Sequence, residues 1–470
     1  MMTPLEISLI DRSLIVIYLI ITLFIGLRAS RKQRGSDENF LLAGRRLSLP
    51  AFTATLVSTW YGGILGIGEF TYLYGLLNWF TQALPYYLFA VLFAFLIAPK
   101  VRKSELYTIP DQIYNNYGKT AGIIGSIFIF FLVSPASYLL MLTILFRAIF
   151  GIPFWIALVI SVGFSTVYVF FGGFKSVVRT DIFQFILMFA GFSFTVIILI
   201  SKFGGMTFLQ NHLPVNHLKI NGGQNLQYIF VWFFIALWTF VDPGFYQRCY
   251  AAKTPNTARN GIILSVLFWI FFDFLTTTSG LYARALFSDI PGLMAFPKLG
   301  EQILPPIIRG LFFISLLATI MSTLDSNSFI SAITFGRDIA WRNNNNINIT
   351  RATQAGLGLT LLFSIILLML VPSVVRIWYL MGTLFIPSLL LPLIAVFAPI
   401  FRISVKATIA AMIAAFSGSS IWLLFGILQS SLNNPLFPFN IQPFFIGLGC
   451  SSVIYVYQHV KSGFNSFSSY

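Results

Sequence analysis

The chain has 470 residues, of which 57% are hydrophobic and 9% charged, and its 29 Lys and Arg against 14 Asp and Glu give a formal net charge of +15. A soluble protein carries about 25% charged residues, so a water-soluble globular fold is excluded. The basic excess falls in short loops between apolar stretches, which is the mark of membrane topology and excludes a nucleic-acid-binding patch.

Thirteen apolar stretches are long enough to cross a bilayer, which takes about 20 residues. They run over 13–29, 49–78, 80–100, 119–150, 153–172, 177–201, 226–249, 258–285, 305–335, 352–371, 373–399, 404–429 and 441–460. The longest polar gaps, 30–48 and 202–225, leave no room for a soluble domain, so residues 1–470 read as one transmembrane domain. The first stretch is no signal peptide: Glu6 and Asp11 outweigh Arg12 before it, and a basic loop follows. If the stretches alternate across the membrane, most basic residues share one side, among them Arg28, Arg45, Lys100, Arg179, Arg248, Lys253, Arg337, Arg402 and Lys461. The positive-inside rule makes that side cytoplasmic, with the N-terminus out and the C-terminus in. Two cysteines, Cys249 and Cys450, speak against a disulfide or a metal cluster.

Two stretches carry helix breakers in mid-span. The second has Gly62, Gly63, Gly66 and Gly68 after Ser58 and Thr59, and the seventh runs WTFVDPGFYQR, with Asp242, Pro243 and Gly244. Glycine lets the backbone open, and proline removes a donor and clashes with the preceding turn. Broken helices at matching positions of two halves point to a transporter binding site. The halves are 49–201 and 226–399, and five crossings in each invert one relative to the other. The helix 13–29 precedes them, and two helices over 404–460 follow.

Residues 318–326 read ATIMSTLDS inside an apolar helix, which places Ser322, Thr323, Asp325 and Ser326 within two turns. Hydrocarbon cannot solvate such groups, so they face protein, water or an ion. Hydroxyl, carbonyl and carboxylate oxygens are hard ligands that suit a cation such as Na⁺.

Several strings then resemble the sodium/solute symporter family: FLLAGRRLSLPAFTATLVSTWYGG (40–63), YTIPDQIYNNYG (107–118), VVRTDIFQF (177–185), FYQRCYAAKT (245–254), and ATIMSTLDS followed by GRDI (336–339). The resemblance implies an all-α integral membrane protein with a five-plus-five inverted-repeat core like that of the leucine transporter. It also implies a sodium site made by the backbone carbonyls of Ser58, Tyr61 and Thr319 and the hydroxyls of Ser322 and Thr323. Relatives often have Ala at the Thr319 position, where only the carbonyl is needed. Some members have a second sodium site, whose matching positions are Asp181, Ser322, Asp325 and Ser326. Either the two carboxylates tighten Na⁺ binding, or one of them holds a proton because like charges raise each other's pKa. Asp181 also suits a helix start, where it would complement the dipole.

The family's substrate lies between the two broken helices. Trp60 is expected to face that cavity, and Asp242 and Phe245 match positions that contact substrate in sugar-transporting relatives. Asp242 serves equally well as a cap on the broken helix. Asp273, followed by Thr276, Thr277 and Thr278, touches substrate, carries a proton or pairs with those hydroxyls. These positions carry carboxylates and no buried cation, since Arg147 and Arg376 sit near outer helix ends, where long side chains snorkel. That favours a neutral or amine-bearing solute such as a sugar or an amino acid.

The expectation is a sodium-coupled symporter that imports a small polar organic solute by alternating access in a bacterial cytoplasmic membrane. Its alternatives are a proton-coupled symporter of the same fold and a membrane solute sensor or regulatory subunit. No His/Cys cluster, nucleophile motif or phosphate loop suggests an enzyme, and no organic cofactor, nucleic acid or obligate protein partner is expected.

Overall fold

The computed structural model describes residues 4–30, 37–430 and 435–467; Arg31, Lys32 and Arg34 of the first basic loop lie outside them. Among the described residues there is no strand, and one isolated backbone bridge pairs Leu47 with Ala252. Helix is what an apolar environment dictates, because each backbone donor and acceptor must find its partner within the segment.

The principal helices are α1 (Leu9–Ser30), α2 (Leu49–Trp60), α3 (Ile64–Tyr74), α4 (Leu84–Leu96), α5 (Ile109–Leu132), α6 (Ala136–Phe150), α7 (Phe154–Phe203) and α8 (Leu226–Ile235). They continue as α9 (Pro243–Ala251), α10 (Pro255–Leu286), α11 (Ile308–Ile333), α12 (Ile349–Leu370), α13 (Val374–Phe397), α14 (Val405–Gln429) and α15 (Pro443–Phe467). Ten helical segments among the described residues are long and apolar enough to cross a membrane. One of them, α7, has 50 residues and would be about 75 Å long if straight, more than twice the hydrocarbon thickness. It bends at Gly173, whose φ of +54° and contact with the Phe40 carbonyl leave no space for a Cβ. Two limbs, 154–172 and 174–203, thus replace one rod, and they correspond to two of the apolar stretches of the sequence.

Burial sorts the helices. The apolar window of the segment Ile308–Trp341 is 83% buried and that of Val374–Phe397 78%, against 33% for those of α1 and α14. The most buried segment also has a lower mean hydropathy (1.5) than α1 (2.1). Polar groups are thus concentrated in the centre, away from lipid, as their desolvation cost requires. On one side α11 packs along α7, and it meets α2 on another. Its first turn is held by α1: Asp11 Oδ1 accepts the backbone N–H groups of Ile307 at 2.8 Å and Gly310 at 3.0 Å. A carboxylate at a helix N-terminus satisfies orphan donors and complements the dipole.

Candidate functional site

Both sequence breakers interrupt helices. Between α2 and α3 the chain tightens into a 3₁₀ turn over Tyr61–Gly63. Gly62 there lies against the Thr323 side chain so closely that a Cβ would overlap it. In the second half, α8 passes through a 3₁₀ turn at Ala236–Phe240, and α9 restarts after Asp242. Pro243 occupies the first turn of α9, where its missing N–H costs nothing. Asp242 caps that turn, with Oδ1 accepting the Phe245 N–H at 3.1 Å and Oδ2 the Trp238 Nε1–H at 3.0 Å.

Ser58, Thr319, Ser322 and Thr323 come together where α11 crosses the first break, all of them buried. The Ser322 hydroxyl lies 3.0 Å from Ser58 Oγ and donates to Asp181 Oδ1 at 2.7 Å. Thr323 Oγ1 donates to the Thr59 carbonyl at 2.8 Å and lies 3.3 Å from the Thr319 carbonyl. Tyr61 opens the 3₁₀ turn, and its hydroxyl donates to the Trp269 carbonyl at 3.0 Å. Helix-interior carbonyls are normally spent on the i+4 donor, and a 3₁₀ turn beside a helix end leaves some available as ligands.

A residue that the sequence reading placed at a cytoplasmic helix end changes the second half of the picture. Arg248 is fully buried, and its Nη2 lies 3.6 Å from Asp181 Oδ2. The same nitrogen donates to Ser326 Oγ at 2.7 Å and to the Thr59 and Thr55 hydroxyls at 3.0 and 3.2 Å. Thr55 also hydrogen-bonds Asp181. The expectation of no buried cation near the site is therefore corrected. Asp181 and Ser326 do not join Asp325 around one shared point, because a guanidinium holds both. Asp325 turns the other way, accepting from the Tyr168 hydroxyl of α7.

A cavity of about 220 Å³ lies between the two breaks, α11 and α13. Trp60, Asp242 and Phe245 line it, as do Gln82, Tyr86, Tyr138 and Trp378. Trp60 stands edge-on to Tyr86 and Phe245, with ring centroids 5.2 and 5.7 Å away. Gln82 Nε2 and Trp378 Nε1 are buried donors without a partner, whereas the acceptors on Asp242 are already engaged. Asp273 is not part of this lining. Its carboxylate accepts from Tyr87 within the α4–α10 interface, and Tyr61 lies against it.

The cavity extends past Trp232, Ile235, Val375 and Tyr379 toward the α12–α13 connection. Outside the cavity lining, an ionic cluster ties α5 to the wide helical turn Thr334–Trp341 after α11. Arg337 Nη1 lies 2.8 Å from Asp111 and 2.7 Å from Asp338, and Arg342 also binds Asp111. The Arg337 and Arg45 guanidinium groups lie on the Tyr107 ring, 4.4 and 4.8 Å from its centroid. The strings YTIPDQIYNNYG and GRDI thus meet in one ionic cluster.

Comparison with known proteins follows these features. The family model of the sodium:solute symporter family matches residues 40–421. A sodium/glucose cotransporter of Vibrio parahaemolyticus is 26% identical over 381 residues, covering 71% of this chain and 69% of its own length. A sodium/proline symporter of Staphylococcus saprophyticus is 27% identical, covering 69% of this chain and 67% of its own. Among solved structures, a substrate-bound outward-open Na⁺-coupled sialic acid symporter superposes with a TM-score of 0.81 at 15% identity, covering 97% of this chain and 98% of that one. A nucleobase-cation-symport-1 family transporter superposes with a TM-score of 0.60 at 12% identity, covering 90% and 95%. At such identities the likeness is one of fold, and the fold is the all-helical one of leucine-transporter-like carriers.

Proposed function

Because the chain belongs to the sodium:solute symporter family, we propose that it imports a small polar organic solute together with Na⁺ by alternating access across the cytoplasmic membrane. The contact of Ser322 and Thr323 with Ser58 and Thr59 across the first helix break carries this reading. An ion held by the carbonyls of Ser58, Tyr61 and Thr319 and the hydroxyls of Ser322 and Thr323 would bridge α11 to the break. Neutral oxygens bind a monovalent ion weakly enough to release it on the low-sodium side. The membrane potential adds about 2.3 kcal/mol per charge per 100 mV, which is a concentration ratio of tens-fold for one Na⁺ and a neutral solute.

The repeats 49–201 and 226–399 would rock about this contact, with the N-terminus outside. The Asp111–Arg337 seal would close the inner side while the solute enters past Trp232 and Tyr379. At about 220 Å³ the cavity falls below the roughly 300–1,000 Å³ of drug-sized sites, which favours a solute of sugar or amino-acid size. Its aromatic walls would cover an apolar ring face, and the free donors of Gln82 and Trp378 would meet hydroxyl or carbonyl oxygens. Arg248 lines the cavity as well, but its charge is already paired with Asp181, which makes an uncharged or amine-bearing solute the better fit.

The test is thermal stabilisation of the purified protein against a panel of sugars, polyols, amino acids and amines, in Na⁺ and in choline. A solute that stabilises only in Na⁺ is the expected result. Equal stabilisation in both salts would overturn the coupling.

A further inference from the structure

The helix α10 carries a carboxylate in the middle of an apolar run. Trp269, Phe272 and Asp273 fall three and four residues apart, so they share one helix face, and all three are buried. Phe271 and Phe274 are exposed on the other side, as lipid-facing residues are. Asp273 forms no ion pair among the described residues, and a carboxylate at this depth is costly unless protein groups hold it. Two phenols hold it. The Tyr87 hydroxyl of α4 donates to Oδ2, and the Tyr61 hydroxyl, from the first helix break, lies within hydrogen-bond reach of the same carboxylate.

The 3₁₀ turn of the break has little else to fix it. Gly62 and Gly63 carry no side chain, and glycine leaves the backbone free to open. Tyr61 is the residue that anchors the turn to α10. Its hydroxyl donates to the Trp269 carbonyl at 3.0 Å, one helical turn before Asp273, and its ring stands edge-on to Phe272 with centroids 4.5 Å apart. The preceding residue leans on the same turn of α10: the Trp60 ring lies 5.0 Å from that of Trp269, and Trp60 lines the solute cavity. One turn of α10 thus supports both Tyr61, whose carbonyl would bind the ion, and Trp60, which walls the cavity. Apolar packing alone is non-directional. A hydrogen bond from a phenol to a carboxyl group sets the direction in which the tyrosine points.

We propose that Asp273 is a positioning residue for sodium coupling: through the Tyr61 phenol it fixes the first break so that the Tyr61 carbonyl and the Trp60 ring are set in place together. Asp273 itself touches neither ion nor solute. The role rests on the sodium-coupled reading above, in which the Tyr61 carbonyl is an ion ligand.

The experiment is equilibrium binding of ²²Na⁺ to the purified full-length protein without solute, choline replacing sodium, with the melting temperature of each variant measured alongside. Tyr61→Phe keeps the ring and the carbonyl but frees the turn, and Asp273→Leu removes the acceptor. Each is expected to weaken Na⁺ binding about tenfold through loss of one oriented hydrogen bond. The double variant is expected to bind no more weakly than the weaker single. Tyr87→Phe takes a hydrogen bond from the same carboxylate without touching the break, and should lower the melting temperature while Na⁺ affinity stays near that of the wild type. Unchanged Na⁺ affinity in Tyr61→Phe, additive losses in the double variant, or an equal loss in Tyr87→Phe would each refute the positioning role and leave the sodium reading intact. A wild type that binds no Na⁺ would overturn both. If Asp273→Leu does not fold, Tyr61→Phe against Tyr87→Phe decides: a loss of Na⁺ affinity confined to Tyr61→Phe supports the role, and equal affinities refute it.

Discussion

Arg248 reaches Asp181 across the α7–α9 contact with Nη2 3.6 Å from Oδ2, and neither side chain has any exposure. Removing one member of such a pair leaves an uncompensated buried charge and costs about 3–5 kcal/mol, whereas removing both restores electroneutrality. Arg248→Gln and Asp181→Asn are each expected to lower the melting temperature sharply, and the double variant to recover most of the loss. A double-mutant cycle in detergent measures this. Additive losses would mean the two charges do not act as a pair.

If the contact at the first helix break holds the coupling ion, its ligands set the affinity for that ion. Ser322→Ala and Thr323→Ala each delete one hydroxyl ligand, which should raise the half-saturating Na⁺ concentration for uptake about tenfold. Apparent solute affinity at saturating Na⁺ should change far less. Uptake into proteoliposomes across a Na⁺ series separates the two, and unchanged Na⁺ dependence in both variants rules out the assignment.

Gly62 has no room for a methyl group because the Thr323 side chain occupies that space. Gly62→Ala should push the break away from α11 and abolish stabilisation by Na⁺ while the helical content seen by circular dichroism stays. Full Na⁺ stabilisation in this variant would show that the close approach is dispensable.

Asp111→Asn weakens the seal formed with Arg337 and Arg342. The inner side should then open more often and expose Cys249, which is fully buried in the sealed state. In a Cys450→Ser background, maleimide labelling of Cys249 should rise several-fold relative to the same background with Asp111 intact. No rise would separate the cluster from gating.

One pH effect lies outside the membrane segments. His217, in the 202–225 connection, is largely buried with Nε2 3.1 Å from the Tyr72 carbonyl. Burial pushes its pKa below the ordinary 6.5, and nearby Arg284 adds to this. The unfolded chain therefore takes up the proton first, so stability is full above about 6.5 and declines as pH falls through that value toward the folded pKa. His217→Gln should flatten the fall in melting temperature between pH 7 and pH 5. An unchanged slope would place the effect elsewhere.

Groups whose chemistry is out of place in lipid were the legible ones. Glycine clusters, Asp-Pro-Gly and ATIMSTLDS stand out in apolar sequence, and the two breaks follow from them, whereas the meeting of Ser322 with Ser58 was implied by the family resemblance. The double role weighed for Asp242 was readable too, since a carboxylate two residues before Gly244 is a natural cap that also faces the gap. Arg248 was not legible: five residues before a basic Lys253, it reads as one more snorkelling side chain, and only packing against α7 and α11 buries it. The three roles left open for Asp273 could not be separated in the sequence because its hydroxyl partner Tyr87 lies 186 positions away in the chain.

The carboxylate of Asp11 gives α11 a fulcrum. Clamped at Ile307 and Gly310, that end of the helix has little freedom to shift, while Arg337 lies about 40 Å along the same rod. A tilt of about 10° hardly disturbs the clamped end yet swings the other by about 7 Å, enough to part Arg337 from Asp111. The helix would then act as a lever with the proposed ion contacts at Ser322 and Thr323 about halfway along the arm, so that a displacement there is about doubled at Arg337.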